Sequence, residues 1–129
     1  MAIEKKSFRS GPFKDFIANA VQVDNVLYIS GQVGLDEAGN VPTSFAGQTE
    51  VAYQNIKTIL SEFGADMSNV VDETVFVTDM KGFMAEAAEV FKLRAEAYGG
   101  QPEVTQTLIQ ITALVQDNLN IEIKCVAHL

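Results

Sequence analysis

The chain has 129 residues, 17 acidic and 9 basic, for a net charge of -8, with 47% hydrophobic and 20% charged residues. That balance describes one globular domain over residues 1–129, long enough for a real core, and speaks against a nucleic-acid partner because Lys5, Lys6, Arg9 and Lys14 form only a loose basic group. No apolar run approaches the ~18 residues of a membrane span, the stretch Met1–Lys6 has no signal-peptide core, and the single cysteine, Cys125, precludes an internal disulfide framework; a cytoplasmic protein with no membrane contact is expected.

Along the chain, Ile3 to Arg9 reads as a strand that Ser10-Gly11-Pro12 breaks. Ala18 to Val23 and Val26 to Gln32 read as two strands joined by a short turn at Asp24-Asn25. Gly34 to Pro42 is a loop, after which Ala52, Ile56, Ile59, Leu60 and Phe63 fall at helical spacing, with Gly64 as the stop. The strand Val70 to Thr78 follows. Asp79 is placed to cap a second helix with the stripe Phe83, Ala87, Val90, Phe91, Arg94 and Tyr98, ended by Gly99-Gly100. Strands from about Val104 to Ala113 and Leu119 to Ala127 close the chain. The order β-β-β-α-β-α-β-β predicts an α+β fold: a mixed sheet of roughly six strands with two helices on one face. Two helices cannot cover both faces of such a sheet. The other face carries enough Val, Ile and Tyr that a second subunit is expected to cover it.

The segment Leu27-Tyr28-Ile29-Ser30-Gly31-Gln32-Val33 is the first candidate site. Strict alternation puts Val26, Tyr28, Ser30 and Gln32 on one face and Leu27, Ile29, Gly31 and Val33 on the other. A glycine there admits either a ligand or a neighbouring backbone, and the same pattern is met at a strand-end bulge. The hydroxyl and amide beside it can hydrogen-bond a small polar molecule.

Glu122 is the second candidate, an acid between Ile121 and Ile123 on a strand whose alternate residues are apolar. A carboxylate so placed is costly unless paired or facing a wet cavity, and burial raises its pKa toward general acid/base work. An exposed strand face, or pairing with Lys124, would leave it without a role. One histidine, His128, and one cysteine cannot build a metal site or a Ser-His-Asp triad, and Cys125, in a β-branched strand, reads as a buried inert thiol.

The ordered set of Ser30-Gly31-Gln32, Gln48-Thr49, Asn55, Gly64-Ala65, Thr74-Val75-Phe76-Val77-Thr78-Asp79-Met80 and Ile121-Glu122-Ile123 resembles the RidA (YjgF) family over nearly the whole chain. The resemblance implies a homotrimer of the chorismate-mutase-like fold, with small-molecule clefts between subunits, no cofactor, and imine or enamine deaminase activity. It also implies that Glu122, the first glutamate of the family's Ile/Val-Glu-Ile-Glu strand, positions the hydrolytic water; the second glutamate is Lys124 here.

The chain departs from that pattern elsewhere. The arginine that grips the substrate carboxylate in family members is replaced by Val104, counting from Pro102, or by Gln106, counting from the downstream strand. The family's Gly-Pro-Tyr is replaced by Asp15-Phe16-Ile17, or is shifted to Gly11-Pro12-Phe13, and the helix-2 asparagine falls at Ala87 or Ala88. Expected substrate contacts are therefore Ser30, Gly31, Gln32, Ile17 and either Val104 or Gln106. Two functions follow: hydrolysis of a small reactive imine, enamine or related nitrogen compound with Glu122 activating water, or non-catalytic metabolite binding by a trimer that has lost its anchor.

Overall fold

Alternating apolar residues build six strands: β1 (Lys6–Phe8), β2 (Ala20–Val23), β3 (Val26–Val33), β4 (Val70–Val77), β5 (Thr105–Gln110) and β6 (Ile121–His128). The computed structural model describes residues 1–129 and arranges these strands as one sheet in the order β1-β2-β3-β6-β4-β5. Neighbours are antiparallel except β4 and β5, whose parallel pairing requires the helical crossover between them. Three helices supply the second layer: α1 (Phe45–Ser61), α2 (Met80–Ala85) and α3 (Ala87–Tyr98).

The core lies between α1 and the sheet. Ala52, Ile56, Ile59 and Leu60 recur every three or four residues and are buried against Leu27, Ile29, Val75, Ile123 and Ala127. Each such Ile or Leu contributes roughly 1.5–3 kcal/mol of hydrophobic stabilisation. On β6, Ile121, Ile123, Cys125 and Ala127 face this core, which turns Glu122, Lys124 and Val126 to the opposite face. No helix packs on that second face, where Tyr28 is 51% and Ile109 46% exposed.

The mixed six-stranded sheet and its one-sided helix layer agree with the sequence reading, with local corrections. The second helix is two, because Glu86 (φ -106°, ψ 9°) leaves helical geometry to reach α1. Its carboxylate accepts from Phe45 N and Ala46 N, each at 3.1 Å, while Ser44 Oγ accepts from Gly47 N at 2.9 Å. Three of the free N–H groups at the start of α1 are thereby satisfied. Asp79 makes no side-chain cap bond; Gln110 Oε1 accepts from Met80 N at 2.8 Å instead.

The outer strands are shorter than expected where partners run out. β1 pairs only with Ala20 to Gln22, and β5 ends where β4 ends, with Ile111 N donating to Val77 O as the last link. The turn between β2 and β3 places Asp24 at φ 51°, the left-handed geometry such hairpins need.

Candidate functional site

The site grows from an irregularity in β3. Ile29 pairs with Cys125 and Gln32 with Ile123, so two residues, Ser30 and Gly31, stand against the single Lys124. This is a β-bulge, and it reverses the alternation beyond it. The strict two-face reading therefore holds only through Ile29; past the bulge, Val33 lies opposite Glu122.

Glu122 presses directly on the bulge. A Cβ added at residue 31 would stand 2.5 Å from Glu122 Cδ and 2.6 Å from Oε2, so only glycine leaves the carboxyl in its place. Burial raises the Glu122 pKa above the ordinary glutamate value.

Around this acid opens a cavity of about 750 Å³. Its floor is Ser30, Gly31, Gln32 and Glu122, and the β1–β2 loop supplies Gly11, Pro12, Phe13 and Ile17. Leu35, Val115 and Asn55 contribute to the far wall, with Asp36 and Glu37 at the start of the β3–α1 loop.

Local hydrogen bonds fix each of these segments. Ser30 Oγ donates to Ala18 O at 2.7 Å, Gln32 Nε2 donates to Ser30 O at 3.0 Å, and Asn19 Oδ1 accepts from Ser10 N at 2.8 Å, which ties the β1–β2 loop to the bulge. Asn55 Nδ2 donates to Val33 O and Leu35 O at 3.1 and 3.0 Å. Gln48, fully buried, donates to Pro42 O and Asn118 O and accepts from Asn120 N, holding the loop that carries Val115. The Ser30 hydroxyl proton and one Gln32 amide proton are thereby used inside the fold.

Five of the seven residues singled out from the sequence, Glu122, Ser30, Gly31, Gln32 and Ile17, line this cavity, and Phe13 lines it together with Ile17. The other two are corrected. Val104 packs against the core, and Gln106 Nε2 donates to Glu73 Oε1 at 2.8 Å, on the helix side of the sheet. The residues of β5 that share the Glu122 face are Thr105, Thr107 and Ile109, because register aligns Glu122 with Phe76 and Phe76 with Ile109. The signal was present in sequence: Val104 and Leu108 mark the even positions as core-facing.

Sequence reasoning also missed Glu73, the one buried acid. It is 0% exposed and accepts from Arg94 Nε at 2.6 Å, Tyr98 OH at 2.7 Å and Tyr53 OH at 3.1 Å, besides Gln106. Burial, and next the Glu73 carboxylate, pushes the Tyr53 and Tyr98 phenols and the Cys125 thiol far above their usual ranges. All three stay protonated, so this cluster clamps α1, α3 and β5 to β4. No group of three or more His, Cys, Asp or Glu side chains is arranged to hold a metal ion, and no helix is long and apolar enough to cross a membrane.

A mixed sheet in this strand order, backed by helices on one face only, defines the α+β fold shared with solved YjgF and RidA structures. The chain matches a RidA from the Antarctic bacterium Psychrobacter with a TM-score of 0.79 and 25% identity, covering 100% of this chain and 99% of that one. It matches a YjgF-family member from Mycobacterium tuberculosis with a TM-score of 0.81 and 23% identity, covering 98% and 100%. The family model described as Endoribonuclease L-PSP matches residues 9–129, and the chain belongs to this family, that of the RidA, RutC and YjgF proteins. Among its relatives is a mouse protein named 2-iminobutanoate/2-iminopropanoate deaminase, 35% identical over 119 residues, which are 91% of this chain and 81% of that protein. A RutC family protein of Pyrococcus abyssi is 32% identical over 127 residues, 97% of this chain and 92% of its own length.

Proposed function

We propose that the chain hydrolyses a small reactive imine or enamine in this cavity, with Glu122 holding and activating the water. One observation carries the reading: a half-buried carboxyl of raised pKa stands over a glycine bulge at the floor of a cavity. Hydrolysis of C=N needs an attacking water, a base to take its proton and an acid to return one to nitrogen, and a single carboxyl can do both in turn. Water adds to the imine carbon while Glu122 takes a proton; the protonated Glu122 then passes it to nitrogen, and the carbinolamine collapses to a carbonyl compound and ammonia. An enamine first gains a proton on carbon and gives one up from nitrogen, which yields the imine. The names of the mouse, goat and cattle relatives support the reaction class. No step needs a cofactor. A homotrimer whose neighbouring subunit closes the cavity fits the uncovered sheet face.

The test is release of ammonia from freshly generated imines by the wild-type protein and by Glu122→Gln. A loss on the order of 10²-fold or more is expected for a general acid/base. Saturable ligand binding with no rate acceleration by wild type would instead establish the metabolite-binding reading.

A further inference from the structure

We propose that Asn55 is a positioning residue: through the carbonyls of Val33 and Leu35 it holds the end of β3 so that Gly31 stays seated against the Glu122 carboxyl. This rests on the hydrolase reading, in which Glu122 is the base, and deepens it by adding a residue that acts on that base through the strand. Every contact involved lies within one chain and holds whatever a neighbouring subunit adds to the cavity.

The bulge leaves the end of β3 weakly held. On one side β2 follows it only as far as Ala20 opposite Ile29, with Ser30 N donating to Asn19 O as the last link. On the other side only two pairs with β6 come after the bulge, Gln32 with Ile123 and Val33 with Glu122. A bulge disrupts the ladder and bends its strand, so a segment this short has little of its own to fix its path. Asn55 supplies what the ladder lacks. Its Nδ2 donates to Val33 O at 3.1 Å and to Leu35 O at 3.0 Å, which spans the last residue of β3 and one already beyond the strand. Both amide protons are used, so the side chain cannot turn without losing both bonds.

Between those two carbonyls the backbone lies against α1 itself. A Cβ added at Gly34 would stand 2.5 Å from Gln48 Cβ and 2.7 Å from its Cα. Gln48 and Asn55 are two turns apart on one face of α1. Gln48 Oε1 accepts from Asn120 N at 2.8 Å, just before the start of β6. One helix therefore sets both sides of the Gly31–Glu122 contact: Gln48 fixes the entry to β6 and Asn55 the exit from β3. Because Val33 is the residue paired with Glu122, a shift of Val33 is felt at the acid directly. Asn55 is only partly buried, and the core stripe of α1 is made by Ala52, Ile56, Ile59 and Leu60, so its side chain can be exchanged without opening the core.

Asn55→Leu and Asn55→Ala both remove the two donors and keep high helix propensity, the first also keeping much of the side-chain volume. Two readouts are taken on each: hydrolysis of the imine that an amino-acid oxidase makes from alanine, and the pH titration of the Glu122 carboxyl carbon by NMR, assigned by its loss in Glu122→Gln. Both variants should lose about tenfold in kcat with KM changed by less than about twofold, the pattern of a misplaced catalytic group. The Glu122 midpoint should fall toward the ordinary glutamate value of 4.5 as the carboxyl leaves its half-buried place. In a Glu122→Gln background Asn55→Leu should lower the residual rate no further, because the two residues act as one unit. Glu86→Ala loosens α1 at its N-terminus, away from β3, and should move neither readout. A wild-type kcat and an unmoved Glu122 titration in both Asn55 variants overturn the proposal. So does Glu86→Ala shifting the two readouts as far, since the effect would then be a general loosening of the helix. No turnover by wild type, with the Glu122 titration still shifted by Asn55→Leu, overturns the hydrolase reading and leaves the hold on Glu122 standing.

Discussion

Gly31 and Glu122 are fitted to one another across the β3–β6 pair: the space a Cβ would take at residue 31 is already filled by the Glu122 carboxyl, 2.5 Å from its carbon. The atom in the way is the far end of a flexible side chain, so Gly31→Ala should fold, with the carboxyl driven from its position. A stability loss of about 1–3 kcal/mol is expected for overpacking, together with about a tenfold or greater fall in kcat/KM for a displaced catalytic group. In a Glu122→Ala background the same substitution should destabilise much less, because the two residues share one clash. An undiminished loss in that background, measured by thermal unfolding, would place the clash elsewhere.

Glu86 is the second residue whose removal should be felt at a distance. It stands at the break between α2 and α3 and accepts from the first two N–H groups of α1, 41 and 40 residues away in sequence. Glu86→Ala should cost about 1–2 kcal/mol, the range for loss of a helix N-cap. Glu86→Gln, which keeps an acceptor but loses the charge that favours a helix N-terminus, should cost less. Urea unfolding of the two variants orders them.

How far the sequence could be read follows from how local each determinant is. The strands through the centre of the sheet and the buried stripe of α1 are written in short-range periodicity. Glu122 was legible for the same reason, since Ile121 and Ile123 on either side fix its face. The bulge at Ser30–Gly31 was visible only as one of two meanings of a strand glycine; which positions it inverts depends on β6, about 90 residues later. The α2–α3 break and the Glu73 cluster were not legible, because their partners converge from α1, α3 and β5 only once the chain is folded. Val104 and Gln106 follow from counting along the family pattern, from Pro102 or from the downstream strand, and that count does not carry the facing of β5, which Val104 and Leu108 set by packing against the core while Ile109 is exposed on the outer face.

The Glu73 cluster predicts a steep and partly reversible stability loss. Glu73→Ala strands the Arg94 side chain, only 13% exposed, and leaves Tyr53, Tyr98 and Gln106 without an acceptor. Removing one partner of a buried ion pair costs about 3–5 kcal/mol. The double variant Glu73→Met with Arg94→Met removes both charges and should recover much of that loss. Denaturant midpoints of the single and double variants test it, and a double variant no better than Glu73→Ala would show that the tyrosine hydroxyls, not the ion pair, set the penalty.

The uncovered sheet face predicts self-association. Tyr28 and Ile109 stand exposed on it, beside Phe76 and Val126 of the same face. A homotrimer is expected, with a scattering mass three times that of the chain, and a charge placed in the face by Tyr28→Asp should lower it. A stable monomer at micromolar concentration would refute the prediction and remove any subunit contribution to the cavity.

On the proposed mechanism, Glu122 ties activity to a stability penalty that depends on pH. Burial lifts its pKa above the ordinary 4.5 of a glutamate, with no neighbouring cation to offset it. A carboxyl whose pKa is higher folded than unfolded contributes stability that is complete below the unfolded value and lost as pH rises through the folded one. The ionised form at neutral pH therefore destabilises the fold, and Glu122→Gln removes that penalty. The variant should be more stable than wild type at pH 7, by no more than about 1 kcal/mol because a half-exposed charge is screened by solvent. The difference should shrink toward zero as the pH falls below the ordinary glutamate range, where wild type carries a neutral acid too. The proposed catalysis runs the other way: with Glu122 as the base its ionised form is needed, so the acid limb of the kcat/KM profile should lie above the usual carboxylate range and vanish with Glu122→Gln. Melting temperatures of both proteins between about pH 4 and pH 8, set beside the rate profile, check the two claims together. A stability difference independent of pH would mean that the carboxyl is not ionising across that interval, and the role of Glu122 as the base would fall with it.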